Sequence, residues 1–336
     1  MFELKQEEIL NEVRKRGAKR VLLQMPEGLK PLGFKLAKFV EKETGAEVFV
    51  SGDPCYGACD LAIYSGKRIE ADLLVHVGHA EIPGEFLKEE VLYVEARADA
   101  TIDVPMRMAA QMLEKEHVIA LASNIQHLHQ IDRAKNILEE YGKEVRIGRP
   151  SGWLKYPGQV LGCDYGSVRA ISEKVDAIVI MSGGDFHAIG LPLATGKRTI
   201  VVDPFQQTAR DMTEACRKLL RKRWISIMKF KEAKNIGIIL GLKSSQMNIS
   251  LARRLKNLLE GSGQSAILLC ASEVIPEALE SFTDLDAYVI VSCPRISTDD
   301  QERYRKPILN PEEVMIAVGK KNWEDYTKGM TLEEWH

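Results

Sequence analysis

The segment D-L-L-V-H-V-G at residues 72–78 decides the fold, because its pattern recurs twice later in the chain. Each copy begins with aspartate, continues as a buried-type apolar run and ends in a small residue. The other copies are D-A-I-V-I-M-S from Asp176 and D-A-Y-V-I-V-S from Asp286, so successive copies start 104 and 110 residues apart. This near-constant period predicts three copies of one structural unit, with a chance resemblance of buried strands as the alternative.

Each copy is accompanied by three further predicted strands and by amphipathic segments. The strands are short runs of Val, Ile and Leu without polar alternation, which is typical of parallel sheets covered on both faces. They lie at residues 21–24, 47–50, 91–94, 118–122, 144–147, 199–202, 236–240, 266–269 and 307–309. Apolar spacings of three and four predict helices at 30–42, 127–141 and 249–259. The sequence thus predicts an α/β protein of three similar domains, each a small parallel sheet flanked by helices.

The predicted domains are residues 1–98, 99–205 and 206–336, and the third begins with one long linking helix over 206–234. The basic cluster R-K-L-L-R-K-R-W within that helix, residues 217–224, is interpreted as a solvated face. A docking surface for an acidic partner is the alternative.

Composition excludes several classes of protein. The chain has 336 residues, 45% of them hydrophobic and 28% charged, as in ordinary globular proteins. Its formal net charge of -2 argues against nucleic-acid binding as the main activity. No apolar run approaches the roughly 20 residues that span a bilayer, and the charged N-terminus lacks the apolar region of a signal peptide. We therefore expect a cytoplasmic protein with reduced thiols, which more often serve metals or catalysis than disulfides.

Three cysteines follow predicted strands in three separate regions. They lie in G-D-P-C-Y-G-A-C-D at 52–60, in L-G-C-D-Y-G at 161–166 and in S-C-P-R at 292–295. Cys59 and Cys163 are 104 residues apart, the same offset as between the first two repeat aspartates, so they occupy equivalent positions. Cys293 instead follows the third aspartate by seven residues, where the other copies have His79 and Gly183.

A metal site assembled from all three regions is the hypothesis that explains these positions. Ligands collect beyond the carboxyl ends of parallel strands, and those ends converge if the three units surround a pseudo-threefold axis. Three thiolates suit a 4Fe-4S cluster with one open iron, whereas zinc needs a fourth ligand, for which His79 is in register. Cys55 is an alternative ligand, and Cys216 and Cys270 are predicted to be structural.

Other strand-end turns carry candidate contacts. S-G-G-D-F-H-A-I-G at 182–190 has paired glycines that allow close approach of a ligand, although a plain tight turn fits equally well. Gln126 and His127 open a predicted helix, and His127 is a candidate cap or ligand. Lys243 and Gln246 in G-L-K-S-S-Q can hold a carboxylate or face water.

These cysteine turns, together with P-E-G-L, I-Q-H, G-G-D-F-H-x-x-G, D-P-F and G-L-K-S-S-Q, resemble the archaeal diphthamide-synthesis enzymes of the first step. The resemblance runs from about residue 21 to about residue 311. It implies three similar α/β domains, each giving one cysteine to a 4Fe-4S cluster, and a homodimer. The implied ligands are Cys59, Cys163 and Cys293. The C-x3-C-x2-C loop of the usual radical enzymes is absent from the sequence, as it is from this family.

The resemblance also implies a reaction. S-adenosylmethionine binds at the open iron, and its 3-amino-3-carboxypropyl group passes as a radical to the imidazole C2 of a histidine on elongation factor 2. Methylthioadenosine is the by-product, and the electron donor is unidentified. The resemblance does not identify the residues that hold the amino-acid end of S-adenosylmethionine; from their positions in strand-end turns, Gln126, His187 and Gln246 are the candidate contacts.

Two alternatives stay open at this point. The pattern also resembles quinolinate synthase, a three-domain protein with one cluster cysteine per domain. In that enzyme the open iron is a Lewis acid for dehydration. The other alternative is a non-enzymatic binding module stabilised by structural zinc. Iron content separates this module from both enzymes, and dependence on S-adenosylmethionine and a strong reductant separates the two enzymes.

Overall fold

The structure, a computed structural model, describes residues 2–83 and 91–327 and has the predicted α/β architecture. The first third forms one parallel sheet with helices around it, preceded by a short strand. Its elements in chain order are β1 (Phe2–Leu4), α1 (Gln6–Arg16), β2 (Arg20–Gln24), α2 (Lys30–Thr44), β3 (Glu47–Val50), α3 (Ile63–Arg68), β4 (Leu73–Val77), β5 (Val91–Val94) and β6 (Ala96–Ala98). β1 and β6 pair in the antiparallel direction.

The rest of the chain repeats this alternation twice. The middle elements are α4 (Asp103–Met112), β7 (Val118–Ser123), α5 (Ile131–Glu140), β8 (Glu144–Arg146), α6 (Gly166–Arg169), β9 (Ala177–Met181), α7 (Gly190–Thr195), β10 (Arg198–Asp203) and β11 (Thr208–Asp211). The last elements are α8 (Thr213–Lys231), β12 (Asn235–Gly241), α9 (Ile249–Gly261), β13 (Ser265–Ala271), α10 (Pro276–Glu280), β14 (Ala287–Val291), α11 (Arg295–Asp299), β15 (Ile308–Leu309), α12 (Pro311–Ala317) and α13 (Trp323–Thr327).

The three sheets share one strand order. The first is β3-β2-β4-β5, the second is β8-β7-β9-β10 with β11 added at its edge, and the third is β13-β12-β14-β15. The strand that opens each unit pairs in parallel with the two strands beside it. In every sheet the second strand is therefore added on one side of this opening strand and the third strand on its other side. Loops at the carboxyl ends of such strands form the crevice in which ligands of open parallel sheets bind.

The repeat aspartates perform the same structural task in each unit. Asp72 Oδ2 accepts hydrogen bonds from the N–H groups of Lys19 and Arg20, at 2.7 and 2.8 Å, where β2 begins. Asp176 and Asp286 bind the backbone at the start of β7 and β12 in the same way. These backbone donors lower the pKa of the Asp72 and Asp286 carboxyls. The recurring aspartate thus ties the start of one strand to the start of its neighbour.

The chain separates into two compact units. One comprises residues 1–188 and 199–210, and the other comprises residues 189–198 and 211–336. The central strands of each sheet are buried against their flanking helices, which supplies the separate apolar cores. The division into three domains at residues 98 and 205, and their threefold arrangement, remain predictions.

The linking helix predicted over residues 206–234 is wrong at its start. β11 occupies Thr208–Asp211, and α8 begins at Thr213. The reason is local, because Asp211 Oδ1 accepts hydrogen bonds from both the N–H and the hydroxyl of Thr213, at 2.9 and 2.6 Å. This turn at Asp211 ends the edge strand and separates it from the helix, whose N-cap residue Met212 has no side-chain cap. Across the described residues, every helix is too short or too polar to traverse a bilayer.

Candidate metal and ligand site

All six cysteines lie in the described part of the chain, and none of them forms a disulfide. Cys59 and Cys293 are half-buried, and Cys163 is exposed. Cys216 is fully buried in α8, where burial raises the pKa of its thiol to about 12. A thiol in that environment stays protonated and is a poor metal ligand. Cys59, Cys163 and Cys293 are therefore more accessible donors than Cys216, and their role as ligands stays a prediction.

Cys270 is exposed, which contradicts its prediction as a buried structural residue. It lies on β13, the edge strand of the third sheet. Most of the β13 side chains are exposed or half-buried, because no other strand follows it in the sheet. The apolar run at this strand suggested two covered faces, and the edge position explains why burial did not follow.

The loop that carries Cys59 is fixed to the end of β2. Gln24 is almost completely buried there, and its Nε2 donates to the Asp60 carbonyl at 2.6 Å. Its Oε1 accepts from the N–H of Ala62 at 3.1 Å. Both bonds orient the amide, and together they bracket the turn that follows Cys59. Sequence reasoning missed Gln24, although one polar residue ending an apolar strand was a usable signal.

Gln24 also reaches a histidine pair. Its Oε1 lies 3.0 Å from Nδ1 of His76, and Nε2 of His76 lies 3.0 Å from Nδ1 of His79. His76 is fully buried at the end of β4 and His79 is half-buried. Burial lowers the pKa of His79 to about 4 and that of His76 well below its ordinary value. Both rings are consequently neutral at physiological pH.

Cys55 completes a group of potential metal ligands. Its sulfur and one ring nitrogen of each histidine, His76 and His79, all lie within 4.8 Å of one another. The sequence offered Cys55 as an alternative cluster ligand and His79 as a candidate zinc ligand. It gave no role to His76, which stands inside an otherwise apolar strand.

The loop of Cys163 is held by the residue that follows the cysteine. Asp164 accepts hydrogen bonds from the N–H groups of Trp153 and Gly166, at 2.9 and 2.8 Å. A side chain at Gly162 would collide with the ring of Phe186, so Phe186 lies directly against the Cys163 turn. Phe186 belongs to the turn at 182–190, and the two sequence motifs are therefore neighbours in space.

His187 lies in that same turn, and its role as a contact of a bound molecule stays a prediction. Its Nδ1 is 3.2 Å from the hydroxyl of Ser182. Gly184 has a left-handed φ of 71°, and its N–H donates to Asp203 at 2.8 Å. A side chain at Gly183 would crowd Phe205, which explains the paired glycines by close packing within the protein.

Gln126 and His127 differ in their environments. Gln126 is half-buried after β7, and its carbonyl accepts from the N–H of Ala98 at 2.9 Å. His127 is fully buried, with its ring 5.2 Å from the ring of Phe205. Among the described residues neither ring nitrogen of His127 has a hydrogen-bond partner. Burial lowers the pKa of His127 to about 4, so the ring is neutral. Its side chain does not cap the following helix.

In the second compact unit, Gln246 lies beside the Cys293 turn. Its Oε1 accepts from the hydroxyl of Ser292 at 2.8 Å. Gly241 permits this contact, because a side chain there would collide with Ser292. Burial raises the pKa of the Cys293 thiol. Lys243, the other candidate in this turn, pairs with Glu273 at 2.6 Å.

Arg223 corrects the interpretation of the basic cluster on α8. Its side chain is fully buried and forms an ion pair with Glu313 through Nε, at 2.7 Å, and Nη2. Nη1 donates to the Ser297 carbonyl and to Gln301, and Nη2 also donates to the Ile308 carbonyl at 2.7 Å. All five guanidinium N–H groups are thereby used. The bond to Ser297 holds α11, the helix that begins two residues after Cys293.

The predicted site residues fall into two groups. One unit holds Cys59, Cys163, Gln126 and His187, with the loops of Cys163 and His187 in contact. The other holds Cys293 and Gln246, which lie in adjoining turns. The convergence of the three cysteines remains a prediction. The donor set fits an iron–sulfur cluster, because three thiols in loops, outside disulfides, can each supply a soft ligand.

Comparisons with known proteins agree with one another. A model of the diphthamide synthesis protein family matches residues 25–327. The chain is 37% identical over 329 residues to the 2-(3-amino-3-carboxypropyl)histidine synthase of Pyrococcus horikoshii, covering 97% of this chain and 93% of that protein. It is 30% identical over 338 residues to subunit 1 of the synthase of that name from Gallus gallus, covering 96% and 80%.

The fold agrees as well. A crystal structure of Dph2 from Pyrococcus horikoshii with a 4Fe-4S cluster gives a TM-score of 0.86 at 36% identity, covering 96% of this chain and 93% of that chain. A second crystal structure of the same Dph2 gives a TM-score of 0.87.

Proposed function

This chain belongs to the diphthamide synthesis protein family, and on that premise we propose that it makes the 2-(3-amino-3-carboxypropyl)histidine of the first step. The donor in this proposal is S-adenosylmethionine, and the acceptor is the imidazole C2 of a histidine on elongation factor 2. The products are the modified histidine, methylthioadenosine and a proton. The protein works in the cytoplasm as a homodimer. The electron that starts the transfer comes from a donor that is not identified, and it is released again when the radical adduct at the imidazole C2 loses one electron and one proton to give the product.

The observation that carries the proposal is the placement of three thiols in strand-end loops. Cys59 and Cys163 follow the second strands of two sheets with the same strand order, and Cys293 follows the third strand of another. A 4Fe-4S cluster held by three thiolates supplies, when bound, one iron open to the sulfonium and one electron to break a carbon–sulfur bond. No step of this chemistry needs a fourth cysteine ligand.

The chain's own residues orient the donor in this proposal. Gln126, His187 and Gln246 offer amide and imidazole donors that suit a carboxylate and acceptors that suit an ammonium. His187 is oriented by Ser182 and Gln246 by Ser292. We expect replacement of all three by alanine to weaken S-adenosylmethionine binding at least ~10-fold, as loss of several hydrogen bonds to charged groups implies. Binding unchanged in the triple variant contradicts their assignment.

The test of the reaction is an anaerobic preparation given S-adenosylmethionine, dithionite and elongation factor 2. We expect methylthioadenosine to accumulate and 5′-deoxyadenosine to stay minor, because the carboxypropyl arm is the one transferred. Predominant 5′-deoxyadenosine contradicts the mechanism but leaves the cluster assignment intact. Cleavage of neither kind in iron-loaded protein favours a dehydratase, and protein with zinc but no iron favours a structural module.

A further inference from the structure

A second set of potential metal ligands lies on β4 and the adjoining loops of the first sheet, and it shares no residue with the three proposed cluster cysteines. It consists of Cys55, His76 and His79, whose donor atoms lie within 4.8 Å of one another. We propose that this group binds a single zinc-class divalent cation that fixes the Cys59 loop to the end of β4. The proposal does not depend on the function proposed above.

The donor chemistry selects this class of metal. One thiolate and two imidazoles are typical ligands of zinc and of other borderline divalent cations, whereas calcium and magnesium require oxygen. In a tetrahedral zinc site, neighbouring sulfur and nitrogen ligands are roughly 3.3–3.8 Å apart. The nitrogens of His76 and His79 are 3.0 Å apart and the Cys55 sulfur lies within 4.8 Å of a ring nitrogen of each, so closure needs side-chain shifts of up to roughly 1.3 Å.

The hydrogen-bond network determines which nitrogen of His76 is available. Gln24 donates to the Asp60 carbonyl through Nε2 and accepts from Ala62 through Oε1, which fixes its amide orientation. The Oε1 atom is therefore an acceptor, and Nδ1 of His76 must carry the hydrogen that binds it. The lone pair of His76 then lies on Nε2, which faces His79.

This arrangement matches the usual support of a metal-bound histidine. Such a histidine donates its other ring N–H to a carbonyl or carboxylate, which orients the ring and increases its basicity. Here the side-chain carbonyl of Gln24 accepts the hydrogen bond from Nδ1 of His76. In the metal-free protein His79 donates from Nδ1 to His76, and a bound cation takes the place of that proton between the two rings. Three protein ligands leave the fourth position to water.

The site would act on the loop that presents Cys59. Cys55 lies four residues before Cys59, and the histidines lie at the end of β4 and just beyond it. Gln24 already holds the part of this loop that follows Cys59 against β2. A metal bound by Cys55, His76 and His79 would hold the part that precedes Cys59 against β4. The loop would then be held at both ends.

The test uses the full-length chain with Cys59, Cys163 and Cys293 replaced by serine, so that cluster ligands do not compete. Co²⁺ is titrated anaerobically as a spectroscopic probe, followed by Zn²⁺. We expect one Co²⁺ per chain with thiolate-to-cobalt charge-transfer absorption and intense tetrahedral d–d bands, both removed by Zn²⁺. Absence of a thiolate–cobalt band, with the fold retained by circular dichroism, overturns the proposal.

Two ligand variants and two controls locate the ion. Added to that chain, Cys55→Ser and His79→Gln should each weaken Co²⁺ binding at least ~100-fold, since even loss of an outer-shell partner costs 10–100-fold. The controls replace a cysteine and a histidine that are exposed elsewhere, as Cys270→Ser and His117→Gln, and should leave the titration unchanged. Equal binding in the Cys55→Ser variant overturns the proposal.

The same question is then asked of the natural sequence with its cluster reconstituted. Zinc and iron are counted in each sample after gel filtration. We expect Cys55→Ser to lose zinc and keep iron. If Cys55→Ser instead loses iron and binds no zinc, Cys55 is a cluster ligand and the separate site is overturned.

Discussion

The buried ion pair between Arg223 and Glu313 makes the sharpest test of how the Cys293 region is held. We consider Arg223→Met, which keeps an unbranched side chain of similar length and removes the charge. Both partners are completely inaccessible to water, so the variant leaves the Glu313 carboxylate buried without its counter-charge. Removing one partner of a buried pair costs about 3–5 kcal/mol, much of which is the penalty for the remaining charge.

The bonds of Arg223 add a local consequence to this global cost. Its Nη1 group holds the Ser297 carbonyl of α11, and its Nη2 group holds the Ile308 carbonyl at the start of β15. We expect Arg223→Met to speed amide exchange in peptides covering residues 287–317 more than in peptides of the first sheet. Hydrogen exchange followed by mass spectrometry measures this, because it reports the free energy of local opening.

A double variant separates the unpaired charge from the lost hydrogen bonds. In Arg223→Met with Glu313→Gln the buried carboxylate is gone, while the amide oxygen can accept from the Asn310 N–H and the amide NH2 group can donate to the Tyr326 hydroxyl oxygen. We expect the double variant to recover at least ~1 kcal/mol relative to Arg223→Met alone. The matched control is Lys218→Met on the same helix, whose exposed side chain should matter by less than about 0.5 kcal/mol.

Two results would refute this reasoning. Arg223→Met with a loss no larger than that of Lys218→Met would mean that the guanidinium is not buried in solution. A double variant no more stable than Arg223→Met would mean that the unpaired carboxylate is not the cause.

Three further predictions concern the cluster, the pH dependence and the Cys293 turn. Anaerobic iron analysis of single cysteine-to-alanine variants should show loss of bound iron at Cys59, Cys163 and Cys293 and unchanged iron at the other cysteines. Full iron content without Cys293, or loss of iron without Cys270, contradicts the assignment. The pKa of His127 is about 4 in the folded protein and about 6.5 in the unfolded chain, so only the unfolded chain takes up a proton between these values. The contribution of neutral His127 to the free energy of unfolding is therefore complete above pH 6.5 and falls by about 3 kcal/mol as the pH drops to 4. Urea unfolding against pH should therefore show a shallower slope over this window in His127→Leu, and an unchanged slope refutes the burial argument. Gly241→Ala should destabilise the second compact unit by about 1–3 kcal/mol, because the added methyl group displaces Ser292 from Gln246. An unchanged thermal unfolding transition refutes this prediction.

The sequence by itself determined the order of the parallel strands of the three sheets and the loops that carry the cysteines, but not the short strands β1, β6 and β11. Those features depend on local patterns, namely apolar runs of strand length and the aspartate that precedes β4, β9 and β14. The predicted strand at 47–50 is β3, and the predicted helix at 249–259 is α9 with two more residues. The aspartates were recognised as a repeat before their hydrogen bonds to the neighbouring strand were known.

Only the tertiary structure decided which polar side chains are buried and with whom they pair. Arg223 looks like any other cation in a basic run, and its burial follows from Glu313, which is 90 residues away in the chain. Gln24 and His76 stand 52 residues apart and meet because β2 and β4 are neighbours in one sheet. Cys270 is exposed because β13 is an edge strand. Local periodicity contains no information about which distant element covers a side chain, so these pairings appear only once the sheets are assembled.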